Sequence, residues 1–279
     1  MLAGRANTAE LSYDNFYASD PKTLVLSCLG AMGNGKSSLL NAICDEQIYR
    51  TGRGAEPITK HVEAVLRPWA NPPISRYCQF IDTPGMCDSS VRDRENMQEC
   101  VRYFKSLSFG VSAFLLVFNI NDTRLDAYTQ NMLYLFEQLL GREFWKYVIL
   151  VFTHVDENIR DLLEDNIDVL EDPNEGFVSE LRRVFKLDKR TFDPPMVFLT
   201  TQRIRYNAYA QRHLQELYNA VAQLERDRGN KKFTCGWFHQ IMSTPGEDQK
   251  SSFIITSVRS ALGSIKSAIS GGGSWCAMQ

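Results

Sequence analysis

The segment Gly30-Ala-Met-Gly-Asn-Gly-Lys-Ser37 follows the apolar run Thr23-Leu-Val-Leu-Ser-Cys-Leu29 and precedes Ser38-Leu-Leu-Asn-Ala-Ile43. GxxxxGK[ST] between a strand and a helix restricts the chain to an α/β sheet in which a phosphate-binding loop opens a helix. Gly30, Gly33 and Gly35 let the backbone turn tightly, so that its N–H groups point inward at phosphate oxygens with the positive end of the following helix behind them. Lys36 is placed to reach the β- and γ-phosphates, and Ser37, followed by Ser38, to offer a hydroxyl to Mg²⁺. A glycine-rich turn that merely joins strand to helix would account for the glycines but not for the Lys-Ser ending. A nucleoside triphosphate is therefore the expected ligand.

The rest of the pattern agrees with that restriction. Strand-like segments recur at 24–29, 62–66, 77–81, 113–118, 147–152 and 196–199, and helical patterns are expected near 36–45, 95–107, 127–140, in an acidic stretch inside 160–185, and at 205–226. Such alternation predicts a P-loop NTPase fold, a three-layer α/β/α domain with a mostly parallel central sheet and ligands at the carboxyl ends of its strands. The expected division is an N-terminal extension over residues 1–22, a nucleotide-binding domain over 23–228, a connector over 229–248, an amphipathic C-terminal helix over 249–270 and a flexible tail over 271–279.

Charge and cysteine usage narrow the function classes. Lys plus Arg number 31 against 33 Asp plus Glu, a balance without the basic footprint that nucleic acid requires. The seven cysteines are scattered and never spaced as CxxC, which fits a reducing compartment without a zinc site. The N-terminus carries neither a hydrophobic signal region nor a myristoylation glycine, and no apolar run is long enough to span a bilayer. The expectation is a cytoplasmic protein whose membrane contact, if it has one, is peripheral.

Two further motifs identify the nucleotide. Asp82-Thr-Pro-Gly85 ends the strand 77–81, opposite the phosphate loop. Its carboxylate would hold Mg²⁺ through a water, and the Gly85 N–H would contact the γ-phosphate and be released on hydrolysis. Asp, Pro and Gly are also ordinary turn residues, so the assignment rests on its position after a phosphate loop. Phe152-Thr-His-Val-Asp156 ends the strand 147–151, where the Asp156 carboxylate can accept both the N1–H and the N2–H₂ of guanine, donors that adenine lacks in that arrangement. NKxD is the more usual sequence there, and the flat imidazole of His154 can cover a base face as a lysine stem would. A lone THxD reads more simply as a helix-capping aspartate; its order behind the other two motifs favours the base. Thr59, in the polar stretch 52–60, is the hydroxyl expected on Mg²⁺ and the γ-phosphate.

Taken together, GAMGNGKSSLLNAI, PITK, FIDTPGMCDS, GVSAFLLVFNINDTRLD and FWKYVILVFTHVDE resemble the immunity-associated nucleotide-binding GTPases, also called GIMAP or avirulence-induced-gene type, relatives of septins and of chloroplast outer-envelope import GTPases. The resemblance covers about residues 24–224 and is most specific between DTPG and THVD. It implies GTP/GDP binding with Mg²⁺, slow hydrolysis, and GTP-dependent homodimers or oligomers formed across the nucleotide face at a membrane surface. Two departures stand out. The base-contacting residue after the last strand falls in Phe198-Leu-Thr-Thr-Gln-Arg203, where Thr201 and Gln202 are the candidates. Met32 and Asn34 occupy loop positions where many members carry Thr or Gly, and neither side chain blocks the backbone cradle.

Catalysis is expected to be slow. A glutamine just after DxxG orients the attacking water in Ras-like enzymes, and here that position is Met86, whose thioether cannot. A second molecule could supply the missing group as an arginine: Arg124 ends the family's own box, with Arg53 and Arg92 as competitors. At the C-terminus, Cys276-Ala-Met-Gln279 fits CaaX with a preference for farnesyl, which would make a protein prenyltransferase a partner; a free cysteine is the alternative. Ile254, Ile255, Val258, Ala261, Leu262, Ile265 and Ile269 fall on one helical face, as either a second membrane signal or a helix packed on protein.

Overall fold

A computed structural model describes residues 22–52, 59, 61–70, 76–85, 96, 100, 103, 110–202 and 206–234. Its centre is a six-stranded sheet formed by β1 (Leu24–Leu29), β2 (Glu63–Pro68), β3 (Tyr77–Asp82), β4 (Ala113–Asn119), β5 (Val148–Thr153) and β6 (Met196–Phe198). The strand order is β2-β3-β1-β4-β5-β6, with β2 antiparallel to β3 and every other pair parallel. Parallel strands need crossover connections, and helices α1 (Lys36–Cys44), α2 (Ala127–Leu140), α3 (Arg160–Glu171), α4 (Phe177–Phe185) and α5 (Ala208–Asp227) are interspersed among them.

All six residues of β1 and of β5 are buried, as expected of strands covered on both faces. The period of two then sorts their side chains into two layers. Leu24, Leu26 and Cys28 join Leu39, Leu40 and Ile43 of α1 and Leu217 and Val221 of α5, whereas Val25 and Leu29 join Met132, Leu133 and Phe136 of α2 and Leu181 of α4. β1 lies between β3 and β4, so connections from it diverge to opposite sides. The crevice at its carboxyl end is where ligands bind in folds of this kind.

The helices refine the sequence expectation. The acidic stretch inside 160–185 is two helices rather than one, interrupted at Asp172-Pro173, because proline cannot continue the first helix and Asp172 folds back to accept from the amides of Asn174 and Glu175. A 3₁₀ turn, Arg142–Tyr147, which the periodicity did not suggest, delivers Trp145 into the core against Phe185 and Phe192. Of the helix expected near 95–107, Asn96, Cys100 and Tyr103 are described, and all three are helical. After α5 the chain turns back so that Phe233 pairs with Val111 and buries its ring against Phe114 and Tyr147. The C-terminal helix and tail inferred from the sequence lie outside the described residues. No helix among the described residues is long and apolar enough to cross a membrane.

Candidate functional site

The phosphate loop leaves the end of β1 and enters α1 through Gly35, the N-cap, at φ 80°. A residue there must adopt the left-handed conformation, and a Cβ would also press on Thr153 Oγ1 at 3.3 Å. No side chain caps α1, so the first-turn amides are left for an external anion. Lys36 is buried, and its ammonium donates to the carbonyls of Gly30 at 3.2 Å and Ala31 at 3.0 Å, which draws the charge under the loop.

Beneath that loop three oxygen-bearing side chains converge. Ser37 Oγ donates to Asp82 Oδ2 at 2.6 Å, Thr59 Oγ1 donates to the same oxygen at 3.2 Å, and the two hydroxyls are 3.3 Å apart. Thr59 thus reaches the pair from a separate segment. Asp82 is 1% exposed, and its Oδ1 has no hydrogen-bond partner among the described residues. Burial pushes its carboxyl above the usual carboxylate range, against the opposing pull of the Ser37 bond, the Lys36 charge and the Thr59 bond. Two hydroxyls around a buried carboxylate with a spare oxygen form a hard donor set of the kind Mg²⁺ takes.

The turn after Asp82 is packed against the same loop. Thr83 Oγ1 donates to the Cys28 carbonyl at 2.7 Å. Gly85 is buried, and a Cβ on it would lie 2.5 Å from Met32 Cα; only glycine allows so close an approach of the two backbones. The Gly85 carbonyl accepts from Asn96 Nδ2 at 2.7 Å. Sequence reasoning missed Asn96, because no local motif marks a bond between residues eleven apart.

The opposite wall comes from the ends of β5 and β6. Thr153 Oγ1 lies 2.7 Å from the Asn34 carbonyl and 3.1 Å from the Phe118 carbonyl, so its single proton serves one of them at a time. Asn34 reaches back through Nδ2 to the Val117 carbonyl at 2.9 Å. Thr153, which stands where the more usual NKxD has asparagine, therefore ties this wall to the phosphate loop. His154 has φ 61°, a conformation rare for a residue with a side chain, and its Nδ1 is 2.9 Å from Thr153 Oγ1. Asp156 is exposed; its Oδ1 accepts from the amide and the side chain of Asn158. The N-cap of α3 is Ile159 rather than Asp156, so helix capping does not explain the aspartate. After β6, the buried Thr200 accepts from the Gln202 amide at 3.3 Å, and Asn207, the N-cap of α5, donates to Glu157 at 2.8 Å.

These walls enclose a cleft of about 1510 Å³. Met32, Gly33, Gly35, Lys36, Ser37, Ser38, Thr59 and Gly85 line one end, and His154, Asp156, Thr201 and Gln202 the other. Gly30, Asn34 and Asp82 lie behind this surface, not on it. Arg124 is exposed and lines a separate cavity of about 230 Å³ that Met32 and Asn34 also line. Met86, Arg53, Arg92 and Cys276 lie outside the described residues.

A family model described as the AIG1 family matches residues 22–251. Immune-associated nucleotide-binding protein 4 of Arabidopsis thaliana is 28% identical over 262 residues, covering 89% of this chain and 72% of that protein. The chain spans less than two thirds of the length of the other leading curated relatives. Among solved structures, Toc33 from Arabidopsis thaliana in complex with Mg²⁺ and GMPPNP is 17% identical with a TM-score of 0.53, covering 76% of this chain and 89% of that one. A dimerization-deficient arginine-to-alanine mutant of Toc33 is 16% identical with the same TM-score and coverage. At this identity the likeness is one of fold.

Proposed function

Because the chain belongs to the AIG1 family, we propose that it binds GTP and GDP with Mg²⁺ and acts as a slowly hydrolysing switch that self-associates across its nucleotide face. The observation that carries this reading is the convergence of Ser37, Thr59 and Asp82 below a phosphate loop whose cleft continues to His154, Asp156, Thr201 and Gln202. Ser37, Thr59 and Asp82 would hold Mg²⁺, which neutralises charge on the β- and γ-phosphates when bound. Lys36 would turn from the carbonyls of Gly30 and Ala31 to phosphate oxygens. Gly85 would offer its N–H to the γ-phosphate, and Asp156 would receive the guanine edge while His154 covers a ring face.

Arg124 is exposed and lines a cavity other than this cleft, which suits a group delivered to a second copy rather than to its own nucleotide. An arginine supplied in trans can accelerate hydrolysis by about 10³ to 10⁵, and in Toc33 one arginine-to-alanine substitution leaves the protein dimerization-deficient. Farnesylation of Cys276 would bring the assembly to a membrane, with the apolar face of 249–270 as a second signal, since one lipid chain alone anchors only marginally.

Competition binding with guanine and adenine nucleotides, followed by mass measurement with GDP and a non-hydrolysable GTP analogue, tests the core of this reading. Guanine preference and a larger particle with the analogue are expected; adenine preference removes the base assignment, and a monomer in both states removes the assembly switch. Single-turnover hydrolysis should rise with protein concentration and lose that rise in Arg124→Ala. Intact GTP copurifying without turnover would instead favour a GTP-loaded scaffold. Incubation with a farnesyltransferase and farnesyl diphosphate should add one farnesyl mass, absent in Cys276→Ser.

A further inference from the structure

The chain is close to neutral as a whole, yet its charges are segregated. Between residues 156 and 175 nine acidic residues accompany one arginine, and this stretch begins at the carboxyl end of β5, beside the cleft. Cations gather at the other end of the sheet on three segments. These are the 3₁₀ turn Arg142–Tyr147, which leads into β5, residues 182–193, which lead toward β6, and residues 226–232, which close α5 and precede Phe233.

Hydrogen bonds join the three. The Arg142 guanidinium donates to the carbonyls of Phe185, at 3.1 Å, and of Lys186. Arg228 donates through Nε to the Lys146 carbonyl at 3.0 Å, and its guanidinium lies over the Tyr147 ring. The turn therefore bridges the other two segments. With Phe233 paired to Val111, just before β4, they form one rim at the amino ends of β4, β5 and β6. The acids on this rim are already engaged: Glu143 pairs with Lys146 and Asp193 with Arg182, while Asp188 accepts from the Arg190 amide and Asp227 from Gln223 Nε2. Lys186, Lys189, Arg190, Arg226 and Lys231 are exposed and pair with no carboxylate among the described residues. Their positive field is left for an external surface of opposite charge.

We propose that this rim is the face by which the domain lies on an anionic lipid bilayer. The proposal rests on the membrane reading above and gives it an orientation. Anionic headgroups spread their charge over a plane, so the cations need only face it together and need not meet single groups at fixed distances. The path of the chain agrees. Thr234 follows Phe233 at this rim, so the connection to Cys276 starts on the lipid side, and a single lipid chain needs a second signal such as a basic patch. The cleft, at the opposite end of the sheet, stays open to nucleotide and to a second copy.

The test uses the full chain without lipid on Cys276, sedimented with vesicles of phosphatidylcholine alone or mixed with phosphatidylserine. Wild type should bind the mixed vesicles only, and should leave them as salt rises. Arg190→Gln with Lys231→Gln, one from each side of the bridge, should bind about 25-fold more weakly, since each cation near such a surface contributes about fivefold. Arg160→Gln with Arg212→Gln removes the same charge from exposed positions off the rim and should change binding by less than about twofold, because the surface potential fades within a Debye length. Equal losses in the two pairs reduce the effect to net charge and overturn the proposal. Wild type bound to neither vesicle, or to both alike, overturns it too, and RNA that displaces the protein at equal phosphate concentration reassigns the rim to nucleic acid. Hydrogen exchange on wild type is independent of any variant's folding: vesicles should slow exchange in 142–147, 182–190 and 226–232 and leave 30–37 unchanged, and the reverse pattern contradicts the orientation. An unmodified Cys276 with vesicle binding intact refutes farnesylation alone, whereas a farnesylated protein whose rim variants bind like wild type refutes this proposal alone.

Discussion

At the proposed phosphate end of the cleft the candidate groups are buried and tied to one another, whereas at the proposed base end they stand on exposed loops. Lys36 and Asp82 are 7% and 1% exposed, and each is already held by neighbours: Lys36 by two loop carbonyls, Asp82 by Ser37 and Thr59. His154, Asp156 and Gln202 are exposed, and each has a hydrogen-bond partner one or two positions away in sequence. On the proposed function, the difference follows from what each end would recognise. Phosphate carries the same charge on every nucleotide, so the groups that meet it gain from desolvation and fixed geometry. A base is told apart by the donors on its edge, so the groups that read it must keep acceptors available in a plane the ligand can enter.

Lys36→Ala should have the largest effect. It removes a charge-assisted contact to two phosphates while leaving the base wall intact, and GTP and GDP affinity should both fall by about 100-fold. Calorimetric titration decides it; an affinity within a few-fold of wild type would mean that the ammonium stays on the Gly30 and Ala31 carbonyls and never serves phosphate. Asp156→Ala probes the other end. Guanine nucleotide affinity should drop about 10- to 100-fold while adenine nucleotide affinity stays where it was, collapsing the preference. Loss of both in parallel would show that Asp156 serves the loop through Asn158 rather than the base.

The phosphate end was the more legible of the two in the sequence, for a physical reason. Its groups must sit at fixed offsets on one strand, loop and helix, so Gly30 to Ser37 and Asp82 to Gly85 can be read from local spacing, and all six strands could be placed to within a few residues. The base end is assembled from loops whose shape depends on distant contacts. That Thr153 bonds to Asn34, 119 residues away, or that Asn207 braces Glu157, 50 residues away, is invisible to spacing. Asn96 escaped for the same reason. So did the break in the acidic helical stretch: Pro173 was there to be read, but the acidic amphipathic pattern runs across it.

A subtler consequence of burial concerns Asp82. Its carboxyl is held above the usual carboxylate range chiefly by desolvation, so the folded chain binds that proton more tightly than the unfolded chain does. Its stabilising contribution is full below the unfolded carboxylate pKa and is lost as pH rises through the raised folded value. Without nucleotide or Mg²⁺, Asp82→Asn should therefore melt a few degrees higher than wild type at neutral pH, and the margin should shrink on acidification. The same variant should lose the stabilisation that wild type gains from Mg²⁺ with GDP, an exchange of function for stability. Thermal melting across a pH series measures both, and a wild-type protein more stable than Asp82→Asn at neutral pH would contradict the burial argument.

The smallest effect belongs to the joint between the two ends. Thr153 is 1% exposed, and its hydroxyl is within hydrogen-bond distance of Asn34 in the phosphate loop and of His154 on the base wall. Thr153→Val keeps the volume and removes those bonds, so it should lower affinity for GTP and GDP alike by about three- to tenfold. Magnitude alone does not distinguish a joint from a residue that serves one end. Double-mutant cycles do, because interaction energy appears only between groups that share a network. If the hydroxyl joins the two ends, Thr153→Val should couple by about 0.5 kcal/mol or more both to Ser37→Ala on the phosphate side and to Asp156→Ala on the base side. Coupling to Ser37 alone would assign Thr153 to the phosphate loop, and coupling to Asp156 alone to the base wall. Additivity with both would mean that the two ends work independently and that their contrasting burial reflects two separate sites sharing one cleft.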